Sequence, residues 1–235
     1  MTYRLALVTG GTRGIGRAIA ETLLARGDKV VVTGTKRQGE APKGAGYEAV
    51  DFSDTLASEA FAQRVATMGF DILINNAGIN KISPFAEIEP KDFAAIQAVN
   101  VTAPFLLSRA VIPHMRKTGW GRIVNISSIW GKLSRAGRGA YSASKFALDG
   151  LSASLAAEVA RDGILVNCIA PGFIDTDLTR RVLGEDGLAR VMHEIPMGRL
   201  GNVAEIASFA AWLAGPENTY ISGQNIAIDG GFTRV

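Results

Sequence analysis

The sequence has little of several residue types on which other classes of protein depend. Its single cysteine, Cys168, cannot form an internal disulfide, and it lies in the apolar run ILVNCIA, where we expect a buried, inert thiol. Its two histidines, His114 and His193, do not form a pair with the spacing of a zinc motif. We therefore expect no metal in the functional site.

Long hydrophobic runs and concentrated charge are also missing. No stretch reaches the roughly 18 uninterrupted apolar residues of a membrane-spanning helix. The start, MTYRLALVTGG, has no basic segment followed by a long apolar run. The net charge is +3, and Lys and Arg are dispersed rather than interleaved with aromatics in a stripe. We expect a cytoplasmic protein that binds neither membranes nor nucleic acids.

What the sequence does contain is an alternation of strand-length and helix-length segments. The strand-length runs are RLALVT, KVVVTG, FDILINN, GRIVNIS, GILVNCIA and QNIAID. Strands buried on both faces are continuously apolar, as these are, and the segments between them show the i, i+3, i+4 spacing of helices. The pattern predicts an α/β fold: a single domain over residues 1–235, with a doubly wound parallel sheet and helices on both faces.

One region interrupts this alternation. About thirty residues separate the strand that ends near Ala170 from the helix that begins near Asn202, and they contain dispersed charges and glycines. Insertions of this kind in a compact domain are usually lids or binding loops. We predict a substrate lid at about 175–199.

A glycine-rich turn, TGGTRGIG at 9–16, joins the first strand directly to a helix. Glycines at such a turn allow a tight bend, close approach of backbone N–H groups to a pyrophosphate, and close packing of helix on strand. The positive end of the helix dipole then faces the phosphates. A simple glycine-rich connector would look similar, but the position between strand and helix favours dinucleotide binding.

The end of the second strand indicates which dinucleotide. NAD-binding proteins commonly carry an Asp or Glu there that binds the adenosine ribose. Here the stretch is VTGTKR, so Lys36 and Arg37 replace the acid, and Arg13 in the glycine turn adds a third cation. A basic surface loop is the alternative interpretation. The missing acid and the added cations favour NADP(H), with NAD(H) also possible.

Tyr141 and Lys145 lie four residues apart in the segment YSASK. On a helix this spacing places the phenol and the ammonium on one face, one turn apart. Such pairs also occur on solvated helix faces, so the pair alone does not establish a site.

Six motifs, in order and in spacing, resemble the short-chain dehydrogenase/reductase family over essentially the whole chain. They are TGGTRGIG, NNAG at 75–78, Asn100, the serine of ISSIWG, YSASK and Pro171-Gly172. The C-terminal segments VNCIAPGFIDTDLT and GRLGNVAEIASFAAWLAGPENTYISGQNIAIDGG most resemble its 3-oxoacyl-[acyl carrier protein] reductases. The resemblance implies a Rossmann fold and an NAD(P)-dependent oxidoreductase acting on CH–OH or C=O.

The resemblance also implies a catalytic set: Asn100, Ser128 rather than its neighbour Ser127, Tyr141 and Lys145. Hydride arriving at a carbonyl carbon leaves charge on oxygen, which Tyr141 as acid and Ser128 as hydrogen-bond donor would meet together. Lys145 would lower the pKa of the phenol and hold the nicotinamide ribose. Asn100 would hold a water that connects the lysine to solvent.

Further cofactor contacts follow from the same resemblance. Residues 76–78 would line the cofactor beside the fourth strand, and Asp51, after the third strand, would face the adenine unless it caps the next helix. Ile174 and Thr176 would meet the nicotinamide carboxamide. The predicted cofactor-binding residues are Gly10, Thr12, Arg13, Gly14, Ile15, Gly16, Thr35, Lys36, Arg37, Asp51, Phe52, Asn76, Ala77, Gly78, Tyr141, Lys145, Pro171, Gly172, Ile174 and Thr176.

Three functions are compatible with these residues. The leading one is NADPH-dependent reduction of a 3-oxoacyl thioester or similar keto compound, and the second is NAD(P)-dependent oxidation of a small alcohol, sugar-like or anionic. The third is a non-catalytic nucleotide-binding regulator, against which the intact catalytic set argues. Arg138, if it faces the pocket, would pair with a carboxylate or phosphate of the substrate.

Partners are indicated by resemblance alone. The family's carrier-dependent reductases dock acidic acyl carrier protein with basic residues, and the corresponding positions here are Gly119 and Asp162, although Arg116, Lys117 and Arg161 lie near them. Carrier docking therefore stays open. We also expect a homotetramer, with the helices at about 91–117 and 140–161 paired across one two-fold axis and the last helix and strand across another.

Overall fold

The structure is a computed structural model that describes residues 3–234, apart from the side chains of Leu178 and Val182. It contains one parallel sheet of seven strands: β1 (Leu5–Val8), β2 (Lys29–Gly34), β3 (Gly46–Ala49), β4 (Ile72–Asn75), β5 (Gly121–Ile126), β6 (Ile164–Pro171) and β7 (Asn225–Ile228). The strands are ordered β3-β2-β1-β4-β5-β6-β7. This confirms the predicted doubly wound α/β fold.

Seven α-helices connect the strands and cover both faces of the sheet. They are α1 (Gly14–Arg26), α2 (Thr55–Met68), α3 (Pro90–Gln97), α4 (Ala103–Thr118), α5 (Gly139–Val159), α6 (Asp177–Glu194) and α7 (Val203–Leu213). On one face α1 and α7 bury residues such as Ile19 and Ile206 against the sheet. On the other face α2, α4 and α5 bury Phe61, Leu107 and Val159.

The six apolar runs of the sequence are all strands, whereas β3, with the sequence GYEA, is not among them. It pairs only with β2 at the edge of the sheet, and its residues are exposed or half-buried. An edge strand that is not covered on both faces needs no continuous apolar run. This strand is therefore invisible to a search for such runs.

The helical segment from Pro90 to Thr118 is continuous but not uniform. A π-helical turn, Ala98–Thr102, joins α3 to α4 and contains the buried Asn100. Turns of this kind are often found at functional sites. Within residues 3–234, this segment is the one helix that is long and apolar enough to cross a membrane. Its inner face, however, contributes Leu107 and Met115 to the core.

The interrupting region at 175–199 contains the helix α6. Gly184 breaks the helical backbone with a φ of 64°. Hydrogen bonds fasten both ends of the region: the N–H of Asp175 donates to the carbonyl of Gly201 at 2.7 Å, and that of Met197 to Gly230 at 3.2 Å. Its role as a lid stays a prediction.

Candidate active site

The predicted site residues meet at the carboxyl ends of the strands. The order of the sheet reverses between β1 and β4, and ligands of open α/β sheets bind in the crevice at such a point. The glycine turn follows β1, residues 76–78 follow β4, and Ser128 follows β5. The candidate cofactor and catalytic residues therefore share one edge of the sheet.

The glycine turn has the geometry that phosphate binding requires. Gly10 and Gly14 have φ values of 64° and 54°, which side-chain-bearing residues rarely adopt. A Cβ on Gly16 would collide with the carbonyl oxygen of Gly10, so glycine permits the close packing of α1 on the turn. No side chain described in the structure caps the first turn of α1, which leaves its N–H groups available to an anion.

The side chain of Asn76 supports this turn, because its amide nitrogen is hydrogen-bonded to main-chain carbonyls of the turn. Its side-chain Nδ2 donates to the carbonyl of Thr9 at 2.9 Å. The Thr9 hydroxyl in turn accepts from the N–H groups of Asn76 and Ala77, both at 2.9 Å. Thr9 is thus a buried supporting residue that the sequence pattern did not single out, because its role depends on contact with β4.

The segment after β3 differs in part from the expectation. Asp51 does not cap α2: its carboxylate accepts from the N–H of Ser53 at 2.9 Å, and the helix cap is Asp54, which accepts from Ala57 at 3.1 Å. The predicted cofactor contact Phe52 is 5% exposed and packs edge-to-face on Phe61. Only the main chain of Phe52 is therefore placed to reach a ligand.

The cations that favour NADP(H) are exposed. Lys36 and Arg37 follow Thr35 at the end of β2, Arg13 precedes α1, and none of the three cations makes an ion pair within residues 3–234. The Tyr47 hydroxyl donates to the main-chain carbonyl of Lys36 and fixes the start of the loop. This arrangement leaves three positive side chains for a phosphate on the adenosine ribose.

The catalytic candidates converge at the first turns of α5. Lys145 Nζ lies 5.6 Å from the centre of the Tyr141 ring and donates to the main-chain carbonyl of Ile126 at 2.8 Å. Ser128 follows β5, and its hydroxyl accepts from the N–H of Trp130 at 3.2 Å and lies near enough to the phenol to oppose the rise in the pKa of Tyr141. The Ser127 hydroxyl instead donates to the carbonyl of Lys145 at 3.3 Å, so it supports the helix. The choice of Ser128 over Ser127 as the catalytic serine stays a prediction, which the bond of Ser127 to Lys145 favours.

Burial dominates the electrostatics of this group. Burial raises the pKa of Tyr141, and the effects that oppose this rise come from Ser128 and Arg138. Burial also lowers the pKa of Lys145 to about 8. Lys145 is not among the effects that oppose the rise, since the amine is itself desolvated and donates its hydrogen bond to Ile126, and its predicted lowering of the pKa of the phenol stays a prediction.

Asn100 faces the same space as Lys145. Its side-chain amide accepts from the N–H of Ile79 and donates to the Ile79 carbonyl, both at 2.9 Å, and it donates to Ser144 Oγ at 3.0 Å. A Cβ on Gly78 would lie 3.4 Å from Asn100 Oδ1 and 3.7 Å from Lys145 Nζ. Asn100 therefore joins the loop after β4 to α5, and its predicted role in holding a water stays a prediction.

The segment after β6 borders the cleft from the other side. Gly172 follows Pro171 and packs so closely on Asp229 that a Cβ would lie 2.8 Å from the Asp229 Cα. The Ile174 side chain is buried in the core, so only its main chain can meet a nicotinamide. Thr176 caps α6 by accepting from Thr179 at 3.2 Å, and its methyl lies 3.9 Å from the Cβ position of Gly14. The predicted lid thus begins beside the glycine turn.

An aromatic cluster that no sequence motif indicated lies beside Ser128. Trp130 makes edge-to-face contacts with Phe173 and Phe232, with ring centres 6.2 and 6.3 Å apart, and Phe173 and Phe232 are 5.3 Å apart. The three residues come from distant parts of the chain. The Arg138 guanidinium lies over the same Trp130 ring, 5.5 Å from its centre.

Other candidate chemistries find less support in the described part of the chain. No group of three or more His, Cys, Asp or Glu within residues 3–234 could hold a metal ion. Cys168 is fully buried, and burial raises the pKa of its thiol to about 12, as expected for an inert cysteine.

Comparisons with known proteins agree with this site. A family model described as enoyl-(acyl carrier protein) reductase matches residues 10–233. The 3-oxoacyl-[acyl-carrier-protein] reductase of Salmonella typhimurium is 42% identical over 99% of this chain and 98% of that protein. The gluconate 5-dehydrogenase of Burkholderia cenocepacia, solved with NADP and tartrate, has a TM-score of 0.92 at 31% identity and covers 100% of this chain and 97% of that one.

A third relative is a blue fluorescent protein from a metagenomic library, solved with NADPH, with a TM-score of 0.88 at 34% identity and 97% of each chain covered. The parallel sheet, the glycine turn and the Ser-Tyr-Lys group define a nucleotide-dependent oxidoreductase of the α/β class. The chain belongs to the short-chain dehydrogenase/reductase family.

Proposed function

We propose that the protein is an NADPH-dependent carbonyl reductase. The observation that carries the proposal is the convergence of Ser128, Tyr141 and Lys145 beside the loop after β4, at the edge of the sheet that also carries the glycine turn. NADPH, when bound, supplies the hydride. Tyr141 donates its proton to the carbonyl oxygen, and Ser128 donates a hydrogen bond to the same oxygen as charge develops there.

Lys145 has a positioning role in this proposal. Its Nζ lies 5.6 Å from the centre of the Tyr141 ring and 3.7 Å from the Cβ position of Gly78, beside which the nicotinamide ribose is expected. Its bond to the Ile126 carbonyl fixes the direction of the amine. When the cofactor is bound, a charged Lys145 favours the phenolate that forms after proton transfer.

The glycine turn and its surroundings fit a dinucleotide that carries an additional phosphate. The open N-terminus of α1 accommodates the pyrophosphate, and the exposed Arg13, Lys36 and Arg37, in the glycine turn and after β2, are available to a phosphate on the adenosine ribose. Two of the similar structures were solved with NADP or NADPH. NADP(H) is therefore the preferred cofactor in this proposal.

The substrate in the leading proposal is a 3-oxoacyl thioester or a similar keto compound. The support is the 42% identity, over nearly the whole chain, to a 3-oxoacyl-[acyl-carrier-protein] reductase. A panel of 3-oxoacyl thioesters, ketones and alcohols, assayed with both cofactors by nicotinamide absorbance, tests the proposal. If the protein turns over none of the compounds in the panel, the proposal is contradicted.

A specific observation favours the second candidate, the oxidation or reduction of a small, sugar-like or anionic molecule. The positions at which carrier docking calls for basic residues hold Gly119 and Asp162, and Asp162 accepts a hydrogen bond from Arg116 at 2.7 Å. One of the three cations near these positions, Arg116, is therefore already paired with an acid. The similarity to a gluconate 5-dehydrogenase agrees with a small substrate that needs no carrier protein.

The homotetramer also remains a proposal. A groove of about 250 Å³ lies between α4 and α5, bordered by Phe105, Ile112 and Leu151, and Phe105 and Leu151 are 48% and 38% exposed. On α7, Trp212 stacks on Phe209 and is 40% exposed. Apolar surface on both sets of elements fits pairing across two different two-fold axes.

A further inference from the structure

The position of Arg138 sets it apart from the other cations of the chain. It immediately precedes α5, three residues before Tyr141, and it is half-buried. Its guanidinium lies over the ring of Trp130, which follows Ser128 by two residues and is 6% exposed. The cation is near enough to the phenol to lower the pKa of Tyr141. It therefore lies on the same side of the cleft as the two hydroxyls that meet the substrate oxygen.

Arg138 has no counter-ion in the described structure. Within residues 3–234 its side chain makes neither an ion pair nor a hydrogen bond, whereas Arg135 of the same loop donates to Glu194 at 3.1 Å. Burial lowers the pKa of Arg138, and the Arg135 charge adds to this effect. A half-buried, unpaired guanidinium is energetically unfavourable, and an anion that binds it relieves this cost.

The aromatic cluster explains why this cation is held in place. Trp130 is locked by edge-to-face contacts with Phe173 and Phe232, so the surface on which the guanidinium lies is rigid. The cation–π contact with this ring uses none of the guanidinium N–H groups, so they are available to an acceptor. The apolar wall also limits water around the pair, which strengthens a bond to an oxyanion.

We propose that Arg138 binds a carboxylate of the substrate, so that the enzyme acts on small oxo acids and the corresponding hydroxy acids. This inference rests on the proposed oxidoreductase function and specifies the substrate class of its second candidate, the small anionic molecule, at the same site. The carboxylate takes no part in bond making. In the oxidation direction the hydroxyl proton passes to the Tyr141 phenolate, the carbon-bound hydride passes to NADP⁺, and the product is the oxo acid.

The test compares matched substrates in the oxidation direction. Hydroxy acids with the carboxylate one, two or three carbons from the hydroxyl carbon are assayed with NADP⁺ beside their primary amides, which have the same shape without the charge. We expect the wild type to favour one acid over its amide by at least about tenfold in kcat/KM, the value of one charge-assisted hydrogen bond. Arg138→Gln should bring the ratio of kcat/KM for the acid to kcat/KM for its amide close to one, and any effect of the lost charge on Tyr141 cancels from this ratio.

Arg135→Gln is the matched control, because this arginine lies in the same loop but is already paired with Glu194. The acid-to-amide preference should survive in that variant. Equal turnover of acids and amides by the wild type, or equal loss of both in Arg138→Gln, would overturn the inference. An Arg138-dependent preference for hydroxyalkyl phosphates over every acid would also overturn it, since the bound anion would then be a phosphate.

The two proposals fail in different ways. Turnover of 3-hydroxyacyl thioesters or neutral alcohols, unchanged by Arg138→Gln and without any preference for acids, would leave the reductase proposal standing and remove the inference. If the enzyme turns over no acid, amide, phosphate or thioester with either cofactor, the reductase proposal itself is wrong. Equilibrium binding of malonate to the NADP⁺ complex gives an independent readout, and Arg138→Gln should weaken it by at least about tenfold.

Discussion

The amine of Lys145 donates a hydrogen bond to the main-chain carbonyl of Ile126, 2.8 Å away at the end of β5. This bond ties the helix that carries Tyr141 to the central part of the sheet. It also places a buried amine, with a pKa lowered to about 8, directly beneath the proposed catalytic cleft.

The buried amine predicts a pH-dependent stability. The folded-state pKa of about 8 lies below the usual lysine value, so the unfolded chain binds more protons than the folded one between about pH 8 and 10. Stability from this group is therefore lowest at neutral pH and rises with pH through that window, with a slope of at most about 1.4 kcal/mol per pH unit. Lys145→Met should abolish this rise.

Chemical denaturation between pH 7 and 10 measures the effect in a Tyr141→Phe background, where the neighbouring phenol cannot titrate. The free energy of unfolding of Tyr141→Phe, minus that of the double variant Tyr141→Phe, Lys145→Met, should increase with pH. Cys168 is present in both proteins and cancels from the difference. A difference that does not change with pH would show that Lys145 is solvated.

Cofactor preference should depend on the cations after β2. The double variant Lys36→Gln, Arg37→Gln should lower the ratio of kcat/KM for NADPH to that for NADH by at least about tenfold, because charge-assisted bonds to the ribose phosphate are lost. Lys43→Gln, an exposed lysine before β3, is the control and should leave the ratio unchanged. An unchanged ratio in the double variant would contradict the interpretation of this loop.

Removal of these cations is a sharper test than insertion of an acid at Gly34. A Cβ at Gly34 would lie 2.8 Å from the Tyr47 hydroxyl oxygen and 3.0 Å from the Thr12 methyl carbon. Gly34→Asp therefore displaces Tyr47 as well as adding charge. The cofactor preference of Gly34→Asp must therefore be compared with that of Gly34→Ala, which adds the Cβ without the charge.

The region 175–199 should become more ordered when the cofactor binds. Thr176, the N-cap of α6, lies beside the glycine turn. Glu194, the last residue of α6, accepts a hydrogen bond from Arg135 of the loop before α5. NADPH should slow hydrogen exchange in α6, while exchange in α2, on the opposite face of the sheet from α1, stays the same. Equal rates in α6 with and without NADPH would rule out a lid.

The molar mass in solution should be about four times 24.8 kDa. Leu151→Arg on α5 and Trp212→Arg on α7 should each place charge in one of the two proposed interfaces and yield dimers. Leu56→Arg on α2, where the leucine is 76% exposed, is the control and should leave the tetramer intact. A wild-type monomer at micromolar concentration by light scattering would contradict the tetramer.

Much of this architecture could be predicted because its causes are local. Strands covered on both faces must be continuously apolar, and the positive φ angles of Gly10 and Gly14 explain why the turn contains glycine. The face shared by Tyr141 and Lys145 follows from helix geometry alone. These features depend on spacing, which the sequence records directly.

The remaining features depend on contacts between distant segments. Thr9 supports the loop after β4, and Phe232, which is far from Trp130 in the sequence, contacts its ring. The burial that raises the pKa of Tyr141 and lowers that of Lys145 likewise arises only when β5, β6 and α5 pack together. No periodicity or motif within one segment carries this information.

The proton donor is the centre of the account, and Tyr141→Phe tests it most directly. The change removes the phenolic hydroxyl and keeps the ring, so the fold and NADPH affinity should be retained, with Tyr220→Phe, at a 97% exposed tyrosine, as the control. At pH 7, on the best substrate of the panel, the rate constant for reduction in a single turnover should fall by about 100- to 10,000-fold. A folded Tyr141→Phe protein that binds NADPH and reduces the substrate at a near wild-type rate would contradict the assignment of Tyr141 as the acid.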